Sequence, residues 1–135
     1  MFNKILIPVA LDHETLIAPK LAKARELLEP GGTITLLTVL ERVPGFVAEF
    51  VTVKPENHLT NAILERLKAV AADDANIDCH VAVGKPGMEI VSFAKEHGHD
   101  LILIGSQSPY AVDYALGSTT SRVVRRSGCS VLVLR

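Results

Sequence analysis

The segment that opens Gly105-Ser106-Gln107-Ser108-Pro109 and closes Gly117-Ser118-Thr119-Thr120-Ser121 carries residue types suited to holding an anion without a fixed charge. Gly105 lets a ligand approach the main chain closely, and Ser106, Gln107 and Ser108 offer side-chain donors. Gly117, Ser118 and Thr119 place backbone N–H groups and hydroxyls at the start of a helical pattern, where the helix dipole is positive. Together they read as a phosphate cradle. Hydroxyls at a helix start also serve as ordinary N-caps with no ligand, and the sequence leaves both readings open. With 14 Lys plus Arg against 15 Asp plus Glu, the formal net charge is -1. No bulk field draws nucleic acid or an anionic membrane, so any anion must be held by local geometry. The loop itself contains no lysine to neutralise a transferring phosphoryl group, which favours nucleotide binding over fast phosphoryl transfer.

Other chemistry-bearing residues read as structural. The chain has no GxxxxGK[ST], and its first strand is not followed by GxGxxG, so P-loop hydrolases and dinucleotide oxidoreductases lose their support. Asp12, His13 and Glu14 are adjacent on a loop and do not converge on one point; a solvated loop capping the first helix is the reading. His97 and His99 flank Gly98 at a helix C-terminus, where imidazole beside the negative dipole end is common, and no catalysis is assigned to them, to His58 or to His80. Arg122, Arg125 and Arg126 read as a solvated helix face. Cys79 and Cys129 lie far apart without a CxxC or a histidine at zinc-ligand spacing, so both read as core residues of a cytoplasmic protein.

The elements that must position the cradle follow from pattern. β-rich runs cover residues 3–9, 33–40, 77–83, 101–104 and 131–134, each bounded by breakers. Several are largely apolar without alternation, as strands covered on both faces of a parallel sheet are. Between them lie helical stripes: Leu21, Ala24, Leu27 and Leu28; Leu59, Ile63, Leu67 and Val70; Met88, Ile90, Val91 and Ala94; and a last one with Val123 and Val124 inward. Pro19 belongs in a first turn, so the first helix is expected to begin near Ile17. The connection from Glu41 to Pro55 is the longest and is apolar for a loop. Strict alternation with right-handed crossovers predicts a doubly wound, five-stranded parallel sheet with helices on both faces, and ligands in such folds sit beyond the strand C-termini.

The 135 residues fit one domain spanning 1–135, and 48% apolar with 21% charged residues is the balance of a chain that buries a core. The opening Met1-Phe2-Asn3-Lys4-Ile5-Leu6-Ile7-Pro8 has no long apolar region with a cleavage site, and no stretch reaches the roughly 18 apolar residues of a membrane span. A soluble cytoplasmic protein is expected, with no nucleic-acid or membrane partner.

At this point the chain resembles the universal stress protein family over essentially its whole length. The resemblance rests on Lys4-Ile5-Leu6-Ile7-Pro8-Val9, Leu36-Leu37-Thr38-Val39, Gly84-Lys85-Pro86, Asp100-Leu101-Ile102-Leu103-Ile104-Gly105-Ser106, and Leu116-Gly117-Ser118 through Cys129-Ser130-Val131-Leu132-Val133-Leu134-Arg135. ATP-binding members carry Gly-x2-Gly-x9-Gly-[Ser/Thr]. Here Gly105, Gly117 and Ser118 match; Ser108 replaces the middle glycine, and only the eight residues Pro109 to Leu116 separate it from Gly117. The family's aspartate after the first strand is Ala10 in this chain, with Asp12 two residues on, while Val39, Ile104 and Gly105 correspond to positions lining an adenosine pocket. The resemblance therefore implies an adenine nucleotide alpha hydrolase-like fold. It implies a stress-response regulatory protein binding ATP, with or without Mg2+, or another adenine nucleotide, through Ala10, Asp12, Val39, Ile104, Gly105, Gln107, Ser108, Gly117, Ser118 and Thr119. It further implies a homodimer pairing through Val131, Leu132, Val133 and Leu134, and a protein client of unknown identity. A nucleotide-free dimeric interaction module is the alternative. Enzymatic activity reaches at most slow ATP hydrolysis or self-phosphorylation, because no general base is identifiable.

Overall fold

In a computed structural model, residues 1–10, 17–41, 55–72, 74–106 and 116–135 are described, with the side chains of 55–58 left aside. Asp12, His13, Glu14, Gln107, Ser108 and the interior of the connection from Glu41 to Pro55 lie outside the described residues. The elements are β1 (Phe2–Pro8), α1 (Ile17–Leu27), β2 (Leu28–Leu40), α2 (Pro55–Ala71), β3 (Ile77–Val83), α3 (Pro86–His97), β4 (Leu101–Gly105), α4 (Ser118–Arg126) and β5 (Ser130–Leu134). All strand pairs are parallel, in the order β3-β2-β1-β4-β5.

That order is what builds a site. The chain winds outward through β2 and β3, then returns to the other side of β1 for β4 and β5. Loops leaving β1 and β4 therefore diverge to opposite faces and open a crevice at their C-terminal ends. Side-chain alternation sorts the core into two layers. Ile5, Ile7, Ile34, Leu36, Leu101 and Leu103 face α1 and α2, whereas Leu6, Leu37, Ile102 and Ile104 face α3 and α4. Central β1 and β4 are buried on both faces, which is why their sequences run Ile-Leu-Ile and Leu-Ile-Leu-Ile without polar interruption. Asp100 locks the entry of β4 to β1: its carboxylate accepts the Asn3 and Lys4 N–H groups at 2.8 and 3.0 Å, and its own N–H donates to the Lys4 carbonyl at 2.9 Å.

The α/β alternation, the doubly wound sheet and the start of α1 at Ile17 agree with the sequence reading, and β5 lies at a sheet edge. Three details differ. Strand β2 begins at Leu28, so Leu28 leaves the first helical stripe: Phe2 pairs with Leu28 and Lys4 with Thr33, and the intervening Glu29-Pro30-Gly31-Gly32 bulges out, with Gly31 taking φ +82°. Leu59 and Met88, which share the stripes of α2 and α3 by spacing, are exposed near the starts of those helices. Val124 is also exposed; on a helix as short as α4 only the Thr120 and Val123 face reaches the core. Cys79 and Cys129 are half-buried free thiols packed against opposite core layers.

Candidate functional site

Backbone hydrogen bonds fix the rim of the crevice. The Val9 N–H donates to the Leu37 carbonyl at 2.7 Å, and the buried Thr38 hydroxyl donates back to the Val9 carbonyl at 3.0 Å, so the ends of β1 and β2 are held as one platform. On the other side, the Ser106 N–H donates to Leu134 at 3.1 Å and the Gly117 N–H donates to the Ser106 carbonyl at 2.9 Å. The Thr120 hydroxyl reaches the Gly105 carbonyl at 2.6 Å, which pins the start of α4 over the end of β4.

A cavity of about 510 Å³ lies between these two rims. Its β1 and β2 side carries Val9, Leu37 and Val39, with Ile63 of α2, beside Thr38 and Glu41; its β4 side presents Gly105 and the α4 start, Gly117 to Thr120. Of the sequence-predicted residues, Ala10, Val39, Ile104, Gly105, Gly117, Ser118 and Thr119 all line this one cavity, drawn from three strand ends and a helix terminus. Ser106 does not: it is buried, and its main chain is spent tying β5 to α4. A shallower groove of about 670 Å³ adjoins it, sharing Ser118 and Thr119 and bordered by Lys85, Met88 and Arg122.

The start of α4 shows how the hydroxyl cluster is used. Gly117 occupies the N-cap with φ -60° and ψ 160°, and being glycine it has no side chain with which to cap the helix. Ser118 and Thr119 are not caps, and Thr120 spends its hydroxyl on Gly105. Among the described residues no side chain accepts from the first-turn N–H groups of α4, which border the cavity, an arrangement suited to an anion at a helix N-terminus.

One residue of the cavity escaped the sequence reading. Lys20, on α1, is only 8% exposed, yet it lines the crevice. A Cβ placed on Gly105 would lie 3.4 Å from its Cε and 3.5 Å from its Nζ. Burial holds its ammonium pKa below the ordinary lysine value, and among the described residues no carboxylate pairs with it. The signal was present in the spacing: Lys20 stands three after Ile17 and four before Ala24, inside the apolar stripe of α1. Because α1 begins at the crevice and helical side chains lean toward their N-terminus, a long side chain there reaches back over the strand ends.

Known proteins place this architecture. The model of the universal stress protein family matches residues 1–135. Universal stress protein G of Shigella flexneri is 31% identical over 147 residues, covering 100% of both chains. The solved structure of hypothetical protein MJ0577 superposes with a TM-score of 0.79 at 29% identity, covering 99% of this chain and 96% of that one. The same fold appears in the universal stress protein from Archaeoglobus fulgidus in complex with dAMP, at a TM-score of 0.64 and 18% identity, covering 98% and 97%. The match over the full length, together with the crevice at the winding reversal, shows that this chain belongs to the universal stress protein family.

Proposed function

We propose that the protein binds ATP or another adenine nucleotide in the crevice and acts as a regulatory binding module in a cytoplasmic stress response. The observation that carries this reading is the N-terminus of α4, without a side-chain cap among the described residues, bordering a cavity whose opposite wall carries Val9, Leu37 and Val39. A purine has apolar faces and suits the wall of Val9, Leu37 and Val39; phosphates suit the N–H groups and hydroxyls of Gly117, Ser118 and Thr119. The nucleotide bound by the Archaeoglobus fulgidus relative is of the same chemical class. Asp12, Gln107 and Ser108 complete the set by their place in the sequence.

Isothermal titration with ATP and Mg2+ is expected to show saturable binding, and protein purified without added nucleotide to carry some excess absorbance near 260 nm. No heat and no competition at millimolar ATP or AMP would overturn the reading and leave the nucleotide-free interaction module in its place. Ala10 is the feature that favours that second reading, since it offers a bound base or ribose no side-chain polar contact.

The module is a homodimer in this proposal. β5 is an edge strand, and Val131 to Leu134 are half-buried on it with their outer main-chain groups facing away from β4. Such an edge invites antiparallel pairing with its two-fold copy. Sedimentation at micromolar concentration should give a dimer, and Val133→Lys should raise the dissociation constant about tenfold or more by setting a charge in the pairing. A monomeric wild type excludes this assembly.

A further inference from the structure

Lys20 and the N-terminus of α4 approach Gly105 from opposite layers of the fold. Lys20 descends from α1, which packs on one face of the sheet with Leu21 and Ala24 in its core. α4 packs on the other face through Val123, and Thr120 hydrogen-bonds the Gly105 carbonyl. Both line the same cavity above the C-terminal end of β4, where Gly105 puts no side chain between them.

An amine in that position is costly unless something anionic visits it. Most of the Lys20 side chain is buried, at 8% exposed, its amine opens on the cavity, and among the described residues no carboxylate pairs with it, so its charge is only partly solvated and is not offset by the protein there. If its only task were packing, methionine would fill the same volume without that cost. The feature becomes intelligible when the counter-ion is brought by a ligand. An anion seated over Gly105 would receive the ammonium from one side and the first-turn N–H groups of α4 from the other, both lining the same cavity.

We infer that Lys20 is a phosphoryl-binding residue, which with the N-terminus of α4 forms a two-sided clamp over Gly105 and makes the cavity select polyphosphorylated ligands over neutral ones. This deepens the nucleotide reading and rests on it for the identity of the base, but the clamp itself recognises phosphate. It supplies the fixed positive charge that the Gly105 to Ser121 loop lacks.

The test titrates the wild type and Lys20→Met with ATP, with inorganic tripolyphosphate and with adenosine, and measures urea unfolding of both. Loss of one charge-assisted contact predicts a fall of about 10- to 100-fold in ATP and tripolyphosphate affinity, with adenosine unchanged. Lys20→Arg is expected to retain most of the polyphosphate preference. The unfolding midpoint of Lys20→Met should equal or exceed that of the wild type, because an amine with no carboxylate partner among the described residues, on a mostly buried stem, has been replaced by an apolar side chain of similar length. A midpoint clearly below that of the wild type marks Lys20 as a packing residue and overturns the inference, as does unchanged ATP affinity. If ATP binds equally to both proteins, the nucleotide reading survives and the clamp does not. If tripolyphosphate binds and depends on Lys20 while adenosine adds nothing, the clamp stands and the adenine reading falls. Wild-type protein that binds neither ATP nor tripolyphosphate rules out both.

Discussion

Gly105→Val is expected to lower ATP affinity about 100-fold or more while leaving the protein folded. Gly105 closes β4 with its missing side chain directed at the cavity: a Cβ there would already touch Lys20 Cε at 3.4 Å. Alanine fits at ordinary van der Waals distance. Valine adds two further carbons, which either displace the Lys20 stem or occupy the space above the strand end where a ligand must sit. Neither outcome strains the strand, since valine favours extended backbone and the new methyl groups face an open cavity and not the packed core. Calorimetry should therefore find Gly105→Ala weakened and Gly105→Val without measurable heat, with thermal unfolding of both near that of the wild type. Undiminished binding by Gly105→Val would place the ligand somewhere other than this crevice.

The second large effect concerns stability and is set at the opposite end of β4. His99 is buried between the C-terminus of α3 and the sheet, hydrogen-bonded to the buried Thr35 hydroxyl at 3.0 Å and flanked by the Phe93 and His97 rings. Burial, helped by the nearby charges of Lys4 and His97 and opposed by Asp100, pushes its pKa down from 6.5 to about 4. The native imidazole is thus neutral through a range in which the unfolded chain takes up a proton. Between pH 6.5 and 4 the unfolded state holds more protons, so stability is complete above pH 6.5 and is lost as the pH falls toward 4. The full shift corresponds to at most about 3 kcal/mol. Urea unfolding between pH 7.5 and 4.5 should show this slope in the wild type and a flatter one in His99→Gln, which keeps a polar reach toward Thr35 but cannot titrate. Groups remote from residue 99 are unchanged in the variant, so the difference between the two curves reports His99 together with the Lys4, His97 and Asp100 charges coupled to it. Parallel curves would show that the residue is not held neutral.

Much of the architecture is written locally. Ile5-Leu6-Ile7 and Leu101-Ile102-Leu103-Ile104 are apolar on both strand faces, and only a sheet covered by helices on both sides hides them. Pro19 marks the first turn of α1, and Gly98, at φ 73°, ends α3 in the left-handed cap that glycine adopts freely. Gly105, Gly117, Ser118 and Thr119 stand out because their chemistry comes from main-chain groups and hydroxyls at an element boundary, and boundaries are what breakers reveal. The exposure of Leu59, Met88 and Val124 was not legible in the same way. Periodicity says which residues share a helix face, but how far the facing sheet extends under that face depends on strands distant in sequence.

The chain by itself therefore determined the alternation of elements, the winding that opens a crevice beyond β1 and β4, and the lysine-free loop suited to an anion. Tertiary structure alone decided that the loop does not act alone. Lys20 is separated from Gly105 by most of the chain, and although its spacing sets it in the apolar stripe of α1, nothing local says what that stripe meets. Only the parallel pairing of β1 with β4 brings the start of α1 over the end of β4, and only burial turns that amine from a surface charge into a group in need of an anion. Local pattern reports which residues share a face; long-range strand order decides what that face meets.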